Sequence, residues 1–210
     1  AGADAAVGRK IVPVPDVPTD YERGVSGLER AEFITANCFV RRLALERTGG
    51  FDERYEKAWR EDSDLQFALL DRGFWTVSAP EAVVVHPVRP APWGVSLSQQ
   101  RQVMYDALLY RKYPGHYRRR IRAAPPIDYY VAVIAFAAGV AALFGGRPWI
   151  AAAGFATWTV LTLALFHRRL RGASRAPRHV LEMLVTSAFI PPLALYWRAV
   201  GSARYRVLFA

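Results

Sequence analysis

The sequence predicts an α/β domain followed by a transmembrane α-helical region. Short segments with strand and helix patterns alternate through the first half of the 210 residues, and long uncharged apolar runs occupy the second half. Charge is divided in the same way: residues 1 to 117 carry 15 Lys and Arg against 16 Asp and Glu, and residues 118 to 210 carry 13 against 2. The whole net charge of +10 therefore belongs to the apolar half.

Composition excludes several classes of protein. With 52% hydrophobic residues the chain is too apolar to be disordered. Its one cysteine, Cys38, cannot form an internal disulfide or a thiolate metal cluster. Nucleic-acid binding is also excluded, because the first 117 residues have a net charge of −1 and the basic clusters lie beside apolar runs.

Two apolar runs predict membrane-spanning helices at residues 127–146 and 149–166. Each is uncharged over 16 to 18 consecutive positions, about the length that crosses the hydrocarbon core. Tyr129, Tyr130 and Trp149 occupy places typical of interfacial aromatic belts. The alternative, two buried core helices, is disfavoured because the rest of the chain has too little surface to enclose them. The protein is therefore expected to be a multi-pass membrane protein.

The distribution of arginine predicts how the chain is oriented. Clusters of arginine precede the first run and follow the second, and only Arg147 lies between them. The positive-inside rule then places residues 1 to 122 in the cytoplasm. A third apolar segment, residues 178–199, contains Glu182 and the pair Pro191-Pro192, which we expect to interrupt a helix. It is interpreted as re-entrant, interfacial or spanning, and the basic tail after it favours the first two.

The elements of the first half follow in chain order. Residues 1–32 are rich in Pro, Gly and charge and are predicted to be loop. Residues 33–97 are predicted to form the α/β domain. Residues 98–122 have helical spacing of apolar residues beside basic ones, and are predicted to form a basic helix lying along the membrane face. Within the domain, the predicted elements are a strand at Phe33–Val40, helices at Arg42–Thr48 and Glu61–Arg72, and strands at Phe74–Ser78 and Ala82–His86.

Four segments between residues 30 and 90 resemble a known family. They occur in a fixed order: FITANCFVRR at Phe33–Arg42, GGFDE at Gly49–Glu53, EDSDL at Glu61–Leu65 and VVHP at Val84–Pro87. Each alone is unspecific, but together, followed by membrane helices, they resemble the acceptor-side part of a family 2 glycosyltransferase with the GT-A fold. The resemblance implies a hexosyltransferase type of enzyme that uses a nucleotide-sugar or lipid-linked sugar donor.

Asp62 is the candidate general base. Inverting sugar transfer needs a carboxylate that takes the proton of the acceptor hydroxyl, and the resemblance places such a group in this acidic segment. A position at the start of a helix favours the ionised form, whereas the neighbouring acids disfavour it, and the sequence leaves the balance open. Glu61 is the second candidate catalytic carboxylate. The alternative is that Glu61, Asp62 and Asp64 are ordinary acids of a helix N-terminus.

The resemblance also implies a divalent metal, Mg or Mn, on the donor diphosphate. Asp62-Ser63-Asp64 has the Asp-x-Asp form of the metal motif, but it follows a polar segment rather than an apolar strand, so we assign it to the acceptor side. The residues before Phe33 are too few for the strand–helix repeats that bind a nucleotide. The chain is therefore expected to be a C-terminal portion without the nucleotide-binding half, and the main metal ligands are expected outside it.

Five further side chains are candidate ligands. Asn37, Asp52, Trp59 and Asp64 are predicted to bind substrate, and Trp59 could do so by stacking on a sugar ring. His86, at the end of an apolar strand, is a candidate metal ligand. For each of them a structural role, such as capping a turn or satisfying backbone groups, is the alternative.

The predicted function is sugar transfer to a lipid-linked or cell-envelope acceptor. Processive polysaccharide synthases carry Gln-x-x-Arg-Trp, of which Gln99-Gln100-Arg101-Gln102 preserves little, so single transfer to a lipid or glycan is favoured. The alternative is a non-catalytic membrane protein or partner subunit that keeps only the acceptor platform. The arginine-rich, lysine-poor, alanine-rich composition suggests a bacterial source and hence the cytoplasmic (inner) membrane, with membrane lipids as partners.

Overall fold

A computed structural model describes residues 2–209. Three strands and a series of helices make up the chain, in the order β1 (Ala5–Ile11), α1 (Asp20–Ser26), β2 (Cys38–Val40), α2 (Arg42–Thr48), α3 (Glu61–Asp71), β3 (Thr76–Val85), α4 (Val95–Gln99), α5 (Val103–Lys112), α6 (Pro114–Arg120), α7 (Ile127–Phe144), α8 (Pro148–Leu170) and α9 (Pro177–Tyr205). Short 3₁₀ turns lie at Gly27–Arg30, Thr35–Asn37 and Gln100–Gln102.

The strands form one mixed sheet in the order β2-β1-β3. β1 runs antiparallel to β2, with Ala5 opposite Val40, and parallel to β3, with Ala5 opposite Thr76. The predicted loop at residues 1–32 is therefore wrong at its start, because β1 is the central strand. β1 is held by pairing with two strands that are distant in sequence, and the local composition gives no sign of that pairing.

The other strand predictions need smaller corrections. Of the strand predicted at Phe33–Val40, only β2 pairs. Phe33 and Ile34 are buried, and the 3₁₀ turn at Thr35–Asn37 lies between them and β2. The two strands predicted at Phe74–Ser78 and Ala82–His86 are one strand, β3, which continues through Pro80 opposite a register shift in β1. The pairing with β1 skips residues 80–82, between Gly8 opposite Ala79 and Arg9 opposite Val83, so the predicted break is an irregularity within one strand.

Helices α2 and α3 confirm the predicted helices, and α2 ends as expected at Gly49 in the left-handed conformation (φ 86°). α3 connects two hydrophobic clusters. Leu65 and Leu69 pack with the sheet, and Phe67 packs with α5. The first turn of α3 is thereby held between the sheet and α5, and this placement positions its acidic side chains.

The helix predicted along the membrane face differs most from expectation. It is broken into α4, α5 and α6, and every residue from Met104 to Leu109 is buried. α9 packs against α5, so the face expected to meet lipid meets another helix. Gly201 shows how close this packing is, because a Cβ there would lie 2.7 Å from the backbone oxygen of Met104.

Three helices are long and apolar enough to cross a membrane: α7, α8 and α9. α7 and α8 pack against each other as a hairpin close to the predicted ranges. The predicted interruption at Pro191-Pro192 is wrong, because α9 is continuous over 29 residues. Contacts with α5 and α8 support its backbone on both sides of the two prolines.

Candidate active-site cleft

A cleft of about 380 Å³ opens at the N-terminus of α3. Its walls are the segment from residue 28 to 34, the loop of residues 58–60, the first turn of α3 and the end of α6. Three of the predicted site residues line it, namely Trp59, Glu61 and Asp62. The sequence-predicted catalytic carboxylates and the candidate sugar-stacking ring thus share one cavity.

Asp62 presents a carboxylate to this cleft. Its Oδ1 accepts hydrogen bonds from the backbone N–H of Ser63 at 2.6 Å and from the Ser63 hydroxyl at 3.3 Å. Burial raises the pKa of Asp62, and it outweighs these hydrogen bonds and the Arg60 charge, which act in the opposite direction. Burial is the factor that the sequence could not weigh, and it makes the ionised carboxylate a stronger base.

Glu61 lies beside Asp62 in the same cleft. Its Oε2 is buried and has no hydrogen-bond partner among the residues that the structure describes. Burial also raises the pKa of Glu61, and the neighbouring Asp62 adds to the rise. A buried carboxylate oxygen without a partner is unusual in a folded protein, and it marks Glu61 as a candidate for a role at the cleft.

Asp106 fixes the loop that leads into α3. Its carboxylate, only 7% exposed, accepts hydrogen bonds from Arg60 Nε at 2.6 Å, from Trp59 Nε1 at 3.2 Å and from the Tyr117 hydroxyl at 3.3 Å. Arg60 has a positive φ of 74°, a conformation that a non-glycine residue rarely adopts. The Asp106 contacts hold this strained residue, and so set the direction in which α3 begins.

Asp52 and Asp64 lie outside the cleft, in an ion network on the other side of α3. Lys112 Nζ donates to Asp52 Oδ2 at 2.8 Å and to Asp64 Oδ2 at 2.6 Å. Arg54 binds Asp52 through two hydrogen bonds and, with Lys112, lowers the pKa of Asp52. The Tyr55 hydroxyl donates to Asp64 Oδ1 at 3.1 Å. This geometry gives both carboxylates internal partners and favours a structural role.

Asn37 and His86 lie at the sheet rather than at the cleft. Asn37 Nδ2 donates to the carbonyl oxygens of Arg9 at 3.0 Å and Ala82 at 2.7 Å, which bridges β1 and β3 at their register shift. His86 binds the end of β1 through its backbone N–H, 2.8 Å from the Ile11 oxygen. Both positions support the architecture of the sheet.

The match to a family decides what kind of protein this is. The family model described as Glycosyl transferase family group 2 matches residues 19–200. The chain belongs to this family. The match includes the cleft, Asp62, Asp106, α7, α8 and most of α9, so it extends well beyond the segments that carried the resemblance. No curated protein and no solved structure matches the chain in the corresponding searches.

The family 2 glycosyltransferase assignment and the predicted fold class are thereby confirmed. The small mixed sheet with its helices, followed by long apolar helices, fits part of a GT-A domain followed by a transmembrane helical region. The residues do not fit a bound metal, since within residues 2–209 no three His, Cys, Asp or Glu side chains are grouped to hold one. Asp62 and Asp64 turn to opposite sides of α3, as expected for helix positions two apart.

Sequence reasoning missed several cleft residues of this glycosyltransferase. Arg120, at the end of α6, forms an ion pair with Glu32, which also accepts a hydrogen bond from Gln66 Nε2 at 3.0 Å. These three side chains also line the cleft, Gln66 one turn of α3 after Asp62. Arg120 was counted only among the membrane-flanking arginines. The signal for Asp106 was present, because it is the single charge in the buried run from Met104 to Leu109.

Proposed function

We propose that this chain forms the acceptor side of a membrane glycosyltransferase in which Asp62 is the general base. One observation carries the proposal. The partly buried carboxylate of Asp62 lines the open cleft, and it is held by hydrogen bonds from Ser63 rather than by an ion pair. Asp52 and Asp64, the other acids singled out nearby, are bonded to cations. Of these three aspartates, Asp62 is the one that lines the cleft, where a substrate can reach it.

The proposed step transfers one proton and exchanges one bond. Asp62 takes the proton of the acceptor hydroxyl as that oxygen forms a bond to the anomeric carbon of the donor sugar. The bond from the anomeric carbon to the donor's phosphate oxygen breaks at the same time, and the phosphate leaves with the electron pair. Attack opposite the leaving group inverts the anomeric centre. The raised pKa of Asp62 makes it a better proton acceptor than an ordinary aspartate.

The cleft also supplies groups that can orient an acceptor. Trp59 is 36% exposed and offers an aromatic face at the cleft wall, suited to stacking on a sugar ring. Glu61 offers its unpartnered Oε2 to an acceptor hydroxyl. Arg30 and Arg120 line the opposite wall and can bind phosphate oxygens of a lipid-linked or nucleotide-linked sugar.

The residues that the structure describes bring no three His, Cys, Asp or Glu side chains together, so they do not hold a divalent ion by themselves. We propose that a divalent ion, where the reaction uses one, is held outside these residues with the donor diphosphate. His86 stays a proposed metal ligand only if further ligands outside the described residues complete the site. The donor sugar and the acceptor hydroxyl would then meet at the cleft that Asp62 lines.

The membrane location follows from the long helices. We propose that the α7–α8 hairpin crosses the bacterial cytoplasmic membrane and that residues 1–122 face the cytoplasm, where nucleotide sugars are made. Arg118 to Arg122 precede the hairpin and Arg168 to Arg178 follow it, whereas Arg147 is the one charge at its tip. A lipid-linked or cell-envelope acceptor fits this placement, because enzyme and acceptor then share one plane.

The test compares Asp62→Asn with Asp71→Asn in the native enzyme that contains this chain together with its nucleotide-binding part, in vesicles of the membrane in which it is expressed. Asp71 lies at the exposed end of the same helix, where it pairs with His116. Labelled UDP- and GDP-hexoses serve as donors, and the membrane lipids serve as acceptor. We expect Asp62→Asn to lower transfer about 100- to 10,000-fold while donor binding is kept, and Asp71→Asn to have no effect.

Unchanged transfer in Asp62→Asn would overturn the proposed base. If the wild-type enzyme, with its nucleotide-binding part present, supported no transfer from any donor, the alternative function would be favoured, a partner subunit that provides only the acceptor platform.

A further inference from the structure

The two ends of α9 both contact the part of the chain before the hairpin, residues 2–122, which consists of the sheet and the helices α1 to α6 and is called the α/β domain below. At its start, His179 Nε2 accepts a hydrogen bond from the backbone N–H of Asp20 at 3.0 Å. One turn later, Glu182 Oε1 accepts from the backbone N–H of Gly94 at 2.7 Å. At its end, Arg111 Nη1 donates to the backbone oxygen of Tyr205 at 2.7 Å. The domain therefore runs beside α9 from its first turn to its last.

The length of α9 makes this arrangement informative. A helix of 29 residues is about 44 Å long, whereas the hydrocarbon core is about 30 Å thick. A helix that crossed the bilayer would place its two ends on opposite sides. One water-facing domain could not then bond to both ends, because the bilayer would lie between them.

Contacts in the last third of α9 agree with those at its ends. Arg101 lies over the Trp197 ring at 5.6 Å, and Gly201 lies against Met104 and Ala107. Met104 and Ala107 belong to the buried hydrophobic core around α5. The domain thus covers one side of α9 through much of its length.

The opposite side of α9 is apolar and exposed. Leu181, Leu184, Phe189 and Tyr196 are 43 to 58% exposed and recur at helical spacing. A helix with one face on protein and an apolar face open is suited to lie in the plane of a membrane interface, with that open face in the acyl boundary. Basic side chains lie at both ends of α9: Arg175 and Arg178 at its start, and Arg204 and Arg206 at its end. They are placed to meet anionic lipid headgroups.

We propose that α9 lies in the interface of the leaflet that the α/β domain faces, and that the chain crosses the membrane only twice, through α7 and α8. The α7–α8 hairpin then emerges from the middle of α9, where Arg169 near the end of α8 donates to Thr186 Oγ1 at 2.6 Å. This assignment rests on the proposed crossing of α7 and α8 and is independent of the proposed role of Asp62. It makes α9 a surface that binds the domain to lipid.

Single cysteines report the side of each segment. The native Cys38 is replaced by Cys38→Ser, and each of four exposed positions is then changed in turn: Asp16→Cys, Arg147→Cys, Arg175→Cys and Leu208→Cys. Intact cells are treated with a charged, membrane-impermeant maleimide, and a second sample is treated after the membrane is opened. The Cys38→Ser chain without an added cysteine gives the background.

We expect position 208 to respond like positions 16 and 175 and opposite to position 147. In intact cells position 147 is labelled, and the other three are labelled only after opening. Labelling of positions 147 and 208 together from outside, with 16 and 175 protected, would mean three crossings and would overturn the proposal. Protection of position 147 as well would show that the hairpin does not cross, which also overturns it, while the Asp62→Asn assay would be unaffected.

A fusion at the C-terminus checks the same point in the native sequence, should Cys38→Ser fail to fold. Green fluorescent protein fluoresces when it stays in the cytoplasm, and alkaline phosphatase is active when it is exported. A fluorescent fusion with inactive phosphatase supports an in-plane α9. An active phosphatase at this position contradicts it.

Discussion

The two sides of the first turn of α3 use the same kind of side chain for different purposes. Asp62 faces the cleft and is bonded to Ser63, with no lysine or arginine as a hydrogen-bond partner in residues 2–209. Asp64, two residues later, is 2% exposed and is bonded to Lys112 and Tyr55. One carboxylate is open to a substrate, and the other is closed within the protein.

The difference teaches that surroundings, and not the acidic motif itself, assign the role. Burial raises the pKa of both carboxyls, and of the two only Asp64 has an ammonium group, that of Lys112, which offsets part of the rise. An uncompensated buried carboxylate costs stability, and it is retained where chemistry needs it. Asp64 therefore belongs with the fold, and Asp62 belongs with the proposed reaction.

The largest effect on stability is expected from Asp64→Asn. This change leaves the partly buried Lys112 with one carboxylate fewer and should lower the free energy of unfolding by about 3 kcal/mol. Chemical denaturation of the purified chain in detergent measures it.

Asp62→Asn is the matched control. The folded-state pKa of Asp62 is raised, so its ionised form costs stability once the pH exceeds that pKa, and its removal should be neutral or stabilising at neutral pH. Equal losses in both variants would remove the distinction between the two sides.

A smaller effect, on catalysis, is expected from Asp106→Asn. The loss of charge weakens the hold on Arg60 and Trp59, so the first turn of α3 and the Trp59 ring become less well positioned. We expect kcat/KM for the acceptor to fall about tenfold, as removal of a positioning contact does, with the helix content retained. Asp128→Asn is the control, since Asp128 forms only an exposed ion pair with Arg168 at 3.5 Å. If Asp106→Asn changed stability alone, Asp106 would be a structural residue without influence on the cleft.

The parts of the fold that sequence predicted correctly are those with local signals. α2 and α3 carry a glycine stop or a first turn of acids, and α7 and α8 each contain a long uncharged apolar run. β1 was missed because its stability comes from pairing with distant strands. The position of α5 was missed because the helix that covers it, α9, lies about 90 residues later in the chain.

The site was predictable to a similar degree. Trp59, Glu61 and Asp62 were found because they belong to a compact motif, and the structure brings them to one cleft. Arg120 and Asp106 reach the same region from α6 and α5, and no local pattern connects them to the motif. Asn37, Asp52 and Asp64 belong to the segments that carry the family resemblance, but their hydrogen bonds go to the protein itself.

The pH dependence of transfer tests the central claim, that Asp62 acts as the base, most directly. Burial raises the pKa of Asp62, so kcat/KM should fall with decreasing pH at a midpoint above about 3.9, the ordinary value for aspartate. The residual activity of Asp62→Asn should lack this acid limb over the same pH range. An acid limb that persists unchanged in Asp62→Asn would contradict the account and assign the base to another group.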